Sequence, residues 1–436
     1  MSRPPIGYAL AAMNTVATSQ WIDKLGLRST IEKLTYHGTK SGFQAIGAAS
    51  RQFKNLSKQS SPERLEKPKG QSDLFDLTIT DEQQMMKETV SRFAKDVVRP
   101  SASAADAAEA TPADIIAQAN ELGLTYFAIP EALGGAATEY STVTNMIVAE
   151  ELAKGDLGIA VAILSPISVA NAITRWGTGE QQGKYLAAFL EDKPLQAAIA
   201  VNEPSALFDP NNLKTTAQFQ GDQVVLNGEK TLVPLIETAE LFLVAANTGS
   251  RGTQIFIVES STDGVTIEKT PAMGLKPANV GTLVLQNVKL PKSAMLGAGD
   301  FNYQEFLNLA RLNWCALACG TAQAVLDYTI EYCNDRVAFG EPISHRQSVA
   351  FMIANIGIEL EGMRVMTQRA AALAERGKDF QREAYLARIF CSDKAMEIGT
   401  NGVQLLGGHG FTKEHPVERW YRDLRSIAVM EGGLHL

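Results

Sequence analysis

Near the end of the chain Glu431 follows the apolar run Ala428-Val-Met and precedes Gly432. A carboxylate in such surroundings is desolvated, so its pKa rises and it becomes a better general base than a solvated acid, while the glycine lets another molecule come close. A second group lies upstream, where Arg336-Val-Ala-Phe339-Gly-Glu-Pro-Ile is followed by Gln347. A guanidinium with an aromatic neighbour suits a diphosphate and a flat ring. The third is Gln404-Leu-Leu-Gly407-Gly408-His-Gly-Phe, whose paired glycines let a ligand reach the backbone with no Cβ in the way. Each group alone has a plainer reading: Gly407 as a helix C-cap, Arg336 as a surface arginine, Glu431 as an exposed acid near a chain end.

The elements that would position these residues follow from hydrophobic period. Thr80-Asp-Glu-Gln starts a helix whose stripe Met85, Val90, Phe93, Val97 runs to Pro100, and further helices are expected at Pro112–Leu122, Ser141–Lys154 and Glu180–Leu190. The uncharged run Leu157–Thr174 approaches the length of a membrane span, but Pro166 and Asn171 interrupt it, and it reads as a buried helix pair. Between 196 and 296 the period falls to 2. Short runs at Val224–Leu226, Leu241–Ala246, Thr253–Val258, Val265–Lys269 and Thr282–Leu285, with turn signals at Gly221-Asp222 and Asn227-Gly228, predict a small antiparallel β domain. Long helical patterns return at Phe306–Asp335, Ser344–Arg376 and Asp379–Leu406, as in a bundle. The expected class is mainly α with a β domain: a basic extension and linker (1–75), an N-terminal α-helical domain (76–195), a middle antiparallel β domain (196–296) and a C-terminal four-helix bundle (297–436).

Composition narrows the function. The 436 residues are 45% hydrophobic and carry a net charge of −8, which excludes global disorder and gives the wrong sign for a protein that coats nucleic acid. Residues 1–70 depart from this, with eleven basic against four acidic side chains. Within them Phe43, Ile46, Phe53 and Leu56 outline a basic amphipathic helix, expected to dock on the acidic body; a peripheral membrane contact through residues 21–58 is the alternative. Cys315, Cys319, Cys333 and Cys391 have neither zinc spacing nor a CxxC pair and read as reduced core thiols. With no secretory pattern at the start, the expected compartment is the cytoplasm.

The three C-terminal groups, with the order α, β, α, resemble the acyl-CoA dehydrogenase family over roughly residues 75–436. The resemblance implies an FAD-dependent oxidoreductase that converts a saturated acyl-CoA to the 2,3-enoyl-CoA. Glu431 would take the α-proton while hydride leaves to flavin N5, and its backbone N–H would polarise the thioester carbonyl. Arg311 and Gly432 become substrate-side candidates. Arg336, Phe339, Gln347, Gln404, Gly407 and Gly408 would meet the adenosine diphosphate half of an FAD held by a neighbouring subunit, implying a homodimer or homotetramer. The electron acceptor would be a carrier such as an electron-transfer flavoprotein. Some family members carry the base just before an arginine on the first bundle helix; here that pair is Ala310-Arg311, which favours Glu431.

The flavin segment departs from the family's Thr-Glu-Pro-x-Ala-Gly-Ser-Asp, reading Asn202-Glu-Pro-Ser-Ala-Leu207-Phe208-Asp209, and Leu232-Val-Pro234 replaces Trp-Ile-Thr. Asn202 retains a donor and is kept as a flavin candidate. Leu232 offers no aromatic face, and Pro234 has neither hydroxyl nor N–H for the ring edge. After Glu431 the sequence runs only to Leu436, where the family continues through Thr-x-Gln and a further helix, whose place the basic extension is expected to take. The departures leave two other functions open on the same scaffold: a flavin oxidase or monooxygenase, and a non-catalytic binding or assembly protein.

Overall fold

The computed structural model describes residues 78–249, 251–297 and 301–432. The basic helix, its membrane or docking role and the linker lie outside the described residues. The chain divides into units at 1–73 and 74–436, and every described residue belongs to the second.

Thr80 opens α1 (Asp81–Phe93) as a reciprocal cap: its hydroxyl accepts the Gln83 N–H at 3.2 Å, and its own N–H donates to the Gln83 side chain at 3.0 Å. The expected stop at Pro100 does not occur. A π turn at Ala94–Val98 leads without a break into α2 (Arg99–Ala108), the Arg99 N–H donating five residues back to the Ala94 carbonyl, and this wider register takes in Pro100 and its missing N–H. After α3 (Ala113–Glu121) and α4 (Thr142–Gly155), the run expected as a helix pair is a single helix, α5 (Leu157–Trp176), which passes straight through Pro166. Its residues are buried almost throughout, and that packing outweighs the roughly 3 kcal/mol penalty of an interior proline. By length and composition α5 is the one helix among the described residues able to cross a bilayer; its burial makes it a core helix.

Short helix α6 (Gly179–Tyr185) leads to the sheet: β1 (Ala197–Ala200), β2 (Thr216–Gln220), β3 (Gln223–Val233), β4 (Leu241–Asn247), β5 (Thr253–Glu259), β6 (Val265–Lys269) and β7 (Gly281–Pro291). The order is β1-β4-β2-β3-β7-β6, with β5 also on β4. Most pairs are antiparallel as expected, but β1 lies parallel to β4, Ala197 facing Leu241, so the sheet is mixed. No hairpin joins these two strands. The chain leaves β1 through residues 201–215 and builds β2 and β3 first, which frees the direction of pairing. Gly221-Asp222 makes the β2–β3 turn, whereas Asn227-Gly228 is a bulge inside β3. A Cβ at Gly228 would lie 2.5 Å from the Thr215 hydroxyl, so here the glycine serves close packing.

The C-terminal domain has three long helices, α7 (Tyr303–Asp335), α8 (Gln347–Glu375) and α9 (Gln381–Leu406), and a fourth, α10 (Val417–Leu424), of 8 residues. A hairpin of β8 (Val337–Ala338) and β9 (Glu341–Pro342) joins α7 to α8. α7 packs on α8, α9 and α4. Its crossing with α4 depends on Gly320, where a Cβ would fall 2.0 Å from the Glu150 carbonyl oxygen. One apolar core therefore joins the N- and C-terminal helices, and the four cysteines are buried in it as free thiols.

Candidate active site

The segment Val429–Gly432 follows α10 and turns into the space between α7, α9 and the chain leaving β1. Glu431 is 8% exposed and has φ 54°, the left-handed region that costs a non-glycine residue about 1–3 kcal/mol. Side chains from three elements hold it there. Asn202 Oδ1 accepts the Glu431 N–H at 2.9 Å, and Asn202 Nδ2 donates to the Val429 carbonyl at 3.1 Å. Arg311, on α7, donates to the Glu431 carbonyl from Nη2 at 3.0 Å and Nε at 3.3 Å. Arg388, on α9, donates from Nη2 to the Met430 carbonyl and, at 2.9 Å, to the Gly432 carbonyl.

The backbone is thus tied on every side while the carboxylate is left incomplete. Glu431 Oε2 is buried without a hydrogen-bond partner. Burial pushes the carboxyl above the ordinary glutamate range; the nearby Arg388 charge, a hydrogen bond with the Trp314 side chain and the Arg311 charge pull the other way without prevailing. Glu431 lines a cleft of about 890 Å³, open mouth included, with Met430, Trp314, Ile199, Pro234 and Ala310 among its walls. Ala310, the alternative base position, presents only a methyl group there.

Three expectations change in detail. The Glu431 N–H, expected to face a thioester carbonyl, is occupied by Asn202, so a substrate carbonyl must displace that amide to use it. Gly432, expected to make room for a substrate, makes room for Pro210: at φ 107° its Cβ would lie 2.6 Å from Pro210 Cδ. Arg311 turns its guanidinium to the Glu431 carbonyl, as a support for the loop.

The residues expected against FAD divide in two. Asn202 is buried beside Glu431. Arg336, Phe339, Gln347, Gln404, Gly407 and Gly408 are all exposed at the far end of α7, and none lines the Glu431 cleft. Tyr332 joins the two motifs there: its carbonyl accepts the Arg336 N–H at 2.8 Å, and its hydroxyl is 2.8 Å from His409 Nδ1. Phe339 is 97% exposed at φ 56°, and a Cβ on Gly407 or Gly408 would meet nothing within 4 Å, so this surface faces outward from its own chain. Guanidinium, amides and bare backbone fit an anionic diphosphate and an adenine. In the Glu431 cleft, Ile199 and Pro234 offer an apolar wall with no donor from Pro234.

The strand before Asn202 is fixed by an ion pair that sequence reading passes over. Lys230, wholly buried on β3, donates to Glu203 Oε1 at 2.8 Å and to the Val201 carbonyl at 3.1 Å. Burial pushes its ammonium down to about 8. Burial alone would raise Glu203, but Lys230, Thr215 and the Lys214 N–H hold it below the usual range. Arg388 was also missed, and its signal was present: Ala384, Ala387, Cys391 and Ala395 mark the buried face of α9, on which Arg388 also falls.

Comparisons with known proteins agree along the chain. The family descriptions "Acyl-CoA dehydrogenase, N-terminal domain", "middle domain" and "C-terminal domain" match residues 80–193, 198–288 and 298–434. A short/branched chain specific acyl-CoA dehydrogenase from Rattus norvegicus is 33% identical over 364 residues, covering 81% of this chain and 83% of its own. Among solved structures, butyryl-CoA dehydrogenase from Megasphaera elsdenii matches with TM-score 0.76 and 31% identity over 82% of this chain and 96% of its own. A structure titled for the electron transferring flavoprotein of Acidaminococcus fermentans contains a chain with the same TM-score of 0.76, 31% identity and the same coverage, 82% and 96%.

Proposed function

The chain belongs to the acyl-CoA dehydrogenase family, whose members are FAD-dependent oxidoreductases acting on CH–CH groups, and we propose that it dehydrogenates a saturated acyl-CoA between the α and β carbons with Glu431 as base. The observation that carries this reading is the Glu431 carboxylate: desolvated, unpaired at Oε2, on the wall of a cleft and on backbone tied from three sides.

Each part of the site has work in that reaction. A thioester α-proton is weakly acidic, and burial raises the proton affinity of Glu431 toward it. Arg311, Arg388 and the Asn202 Nδ2 bond to the Val429 carbonyl fix the loop, so the carboxylate keeps its place at the α-carbon. Displacement of Asn202 Oδ1 frees the Glu431 N–H to donate to the thioester oxygen as enolate charge develops. Arg336, Gln347, Gln404 and the Gly407-Gly408 backbone would hold the diphosphate end of FAD, with Ile199 and Pro234 against the ring. FAD, when bound, supplies the hydride acceptor. Because the diphosphate-end residues face away from the cleft of their own chain, two copies are needed to complete one site. The matched chain in the electron transferring flavoprotein structure supports a carrier of that kind as the onward acceptor.

The test is the visible spectrum of the purified protein under anaerobic titration with saturated acyl-CoAs. A bound flavin that bleaches with a thioester supports the reading. A colourless protein that takes up no added FAD contradicts it, and rapid oxygen consumption with substrate would assign the scaffold to oxidase chemistry instead.

A further inference from the structure

The cleft at Glu431 does not end at an apolar wall. Two further cavities adjoin it, and Asn145 and Asn171 line all three, whereas Glu431, Met430 and Pro234 line only the first. Ser168 and Asn313 are shared with one of the two, and Tyr140 with the other. The amides therefore stand where the cleft leads away from the reacting carbons. We infer that this extension receives the distal part of the acyl group, and that the preferred substrate is an acyl-CoA whose chain carries a hydrogen-bond donor, a hydroxyl or amine, beyond the carbons that react. The inference rests on the dehydrogenase reading above.

Two side chains on this wall, Asn171 and Ser168, present acceptors in want of a donor. Asn171 Oδ1 is buried with no partner. Ser168 spends its own proton on the Leu164 carbonyl at 2.9 Å, which leaves its lone pairs to accept. Asn145 is engaged with the Tyr140 hydroxyl. Asn171 Oδ1 is already desolvated and unpaired, so a plain alkyl chain laid along this wall leaves that penalty in place, whereas a donor on the chain that reaches the amide supplies the missing bond. The far cavity, about 810 Å³ with its open part, ends among the exposed carboxylates Glu82, Glu139 and Glu375. Those charges also accept hydrogen bonds and repel anions, so the phosphates of the thioester's nucleotide are excluded from this arm and the acyl end takes it.

The experiment compares pairs of substrates on the FAD-loaded protein: each straight alkanoyl-CoA against the ω-hydroxyacyl-CoA one carbon shorter, so that heavy atoms match. The expected result is a kcat/KM at least about tenfold higher for the hydroxylated member at the length that reaches Asn171, with Asn171→Leu bringing the ratio toward one chiefly through KM. Equal rates, an alkanoyl preference, or an Asn171→Leu effect shared by both members would overturn the inference. Affinities of S-alkyl-CoA and S-(ω-hydroxyalkyl)-CoA thioethers, which cannot be oxidised, separate it from the reaction itself. A hydroxyl preference in binding without turnover of any thioester would sink the dehydrogenase reading and sustain the polar chamber; no preference in binding would sink the chamber.

Discussion

At the scale of residues, the centre of the molecule is a glutamate held in an unfavourable backbone conformation by three polar side chains. The carboxylate works only when ionised, and burial has raised its pKa, so activity should fall as pH drops through a value above that of an ordinary glutamate. A kcat/KM profile with its acid limb displaced upward is the expected result; a limb at the solvated value would mean the carboxylate is wet. Asn202 offers a sharper test because two roles compete for it. As a flavin contact, its loss would lower FAD content; as the pin of Val429 and Glu431, its loss should leave FAD bound and lower kcat. We expect Asn202→Ala to retain flavin and to reduce the rate of anaerobic flavin bleaching by about 2- to 12-fold, from the lost Val429 bond of ~0.5–1.5 kcal/mol, since the Glu431 N–H bond is given up to the substrate in either case.

At the scale of elements, Lys230 on β3 connects sheet to site: it fixes Val201 and Glu203, which flank Asn202, which in turn holds Glu431. Lys230→Met would leave Glu203 buried with only the Lys214 and Thr215 N–H groups at 2.7 and 2.9 Å, and should destabilise the protein by about 3–5 kcal/mol in denaturant unfolding. The linkage has a definite sign. The folded ammonium loses its proton near pH 8, below its unfolded value, so between the two the unfolded chain binds more protons; this term penalises folding fully at neutral pH and is relieved as pH rises. Element order and helix spans were legible in the sequence because they rest on periodicity. What periodicity cannot show is where packing overrides a local signal, and three of the misreadings are of that kind: Pro166 inside a buried helix, Pro100 absorbed by a π turn, and Asn227-Gly228 used as a bulge against Thr215; the fourth, the parallel pairing of β1 with β4, is a matter of topology that no local period carries. The site was half legible. Glu431, Gly432, Arg311 and Asn202 come together, but their partners Arg388, Trp314 and Pro210 are far apart in the chain, and no local pattern links them to the loop.

At the scale of the whole molecule, the single chain leaves exposed what a partner would cover. Phe351, Ile358 and Val365 recur every seven residues along α8 as an exposed apolar stripe, beside an end of the domain where Phe339 stands free. In the shared site proposed above, a second copy seated on this face would bury the stripe, and the outward-facing Arg336 and Gly407-Gly408 surface would serve its partner's cofactor. Phe351→Glu with Ile358→Glu should therefore reduce the assembly in sedimentation and release FAD together. A variant that is monomeric yet keeps its flavin would refute a site shared between copies.

The central claim, that Glu431 is the base, is tested most directly by Glu431→Gln in the flavin-loaded protein, mixed anaerobically with the acyl-CoA that bleaches the wild type fastest. The carboxamide keeps the shape of the side chain and removes its ability to take a proton, so the variant should bind the thioester with little change in affinity and bleach at least about 1,000-fold more slowly. Bleaching within a few-fold of the wild-type rate would show that another group removes the proton and that the tied loop at Glu431 serves some other end.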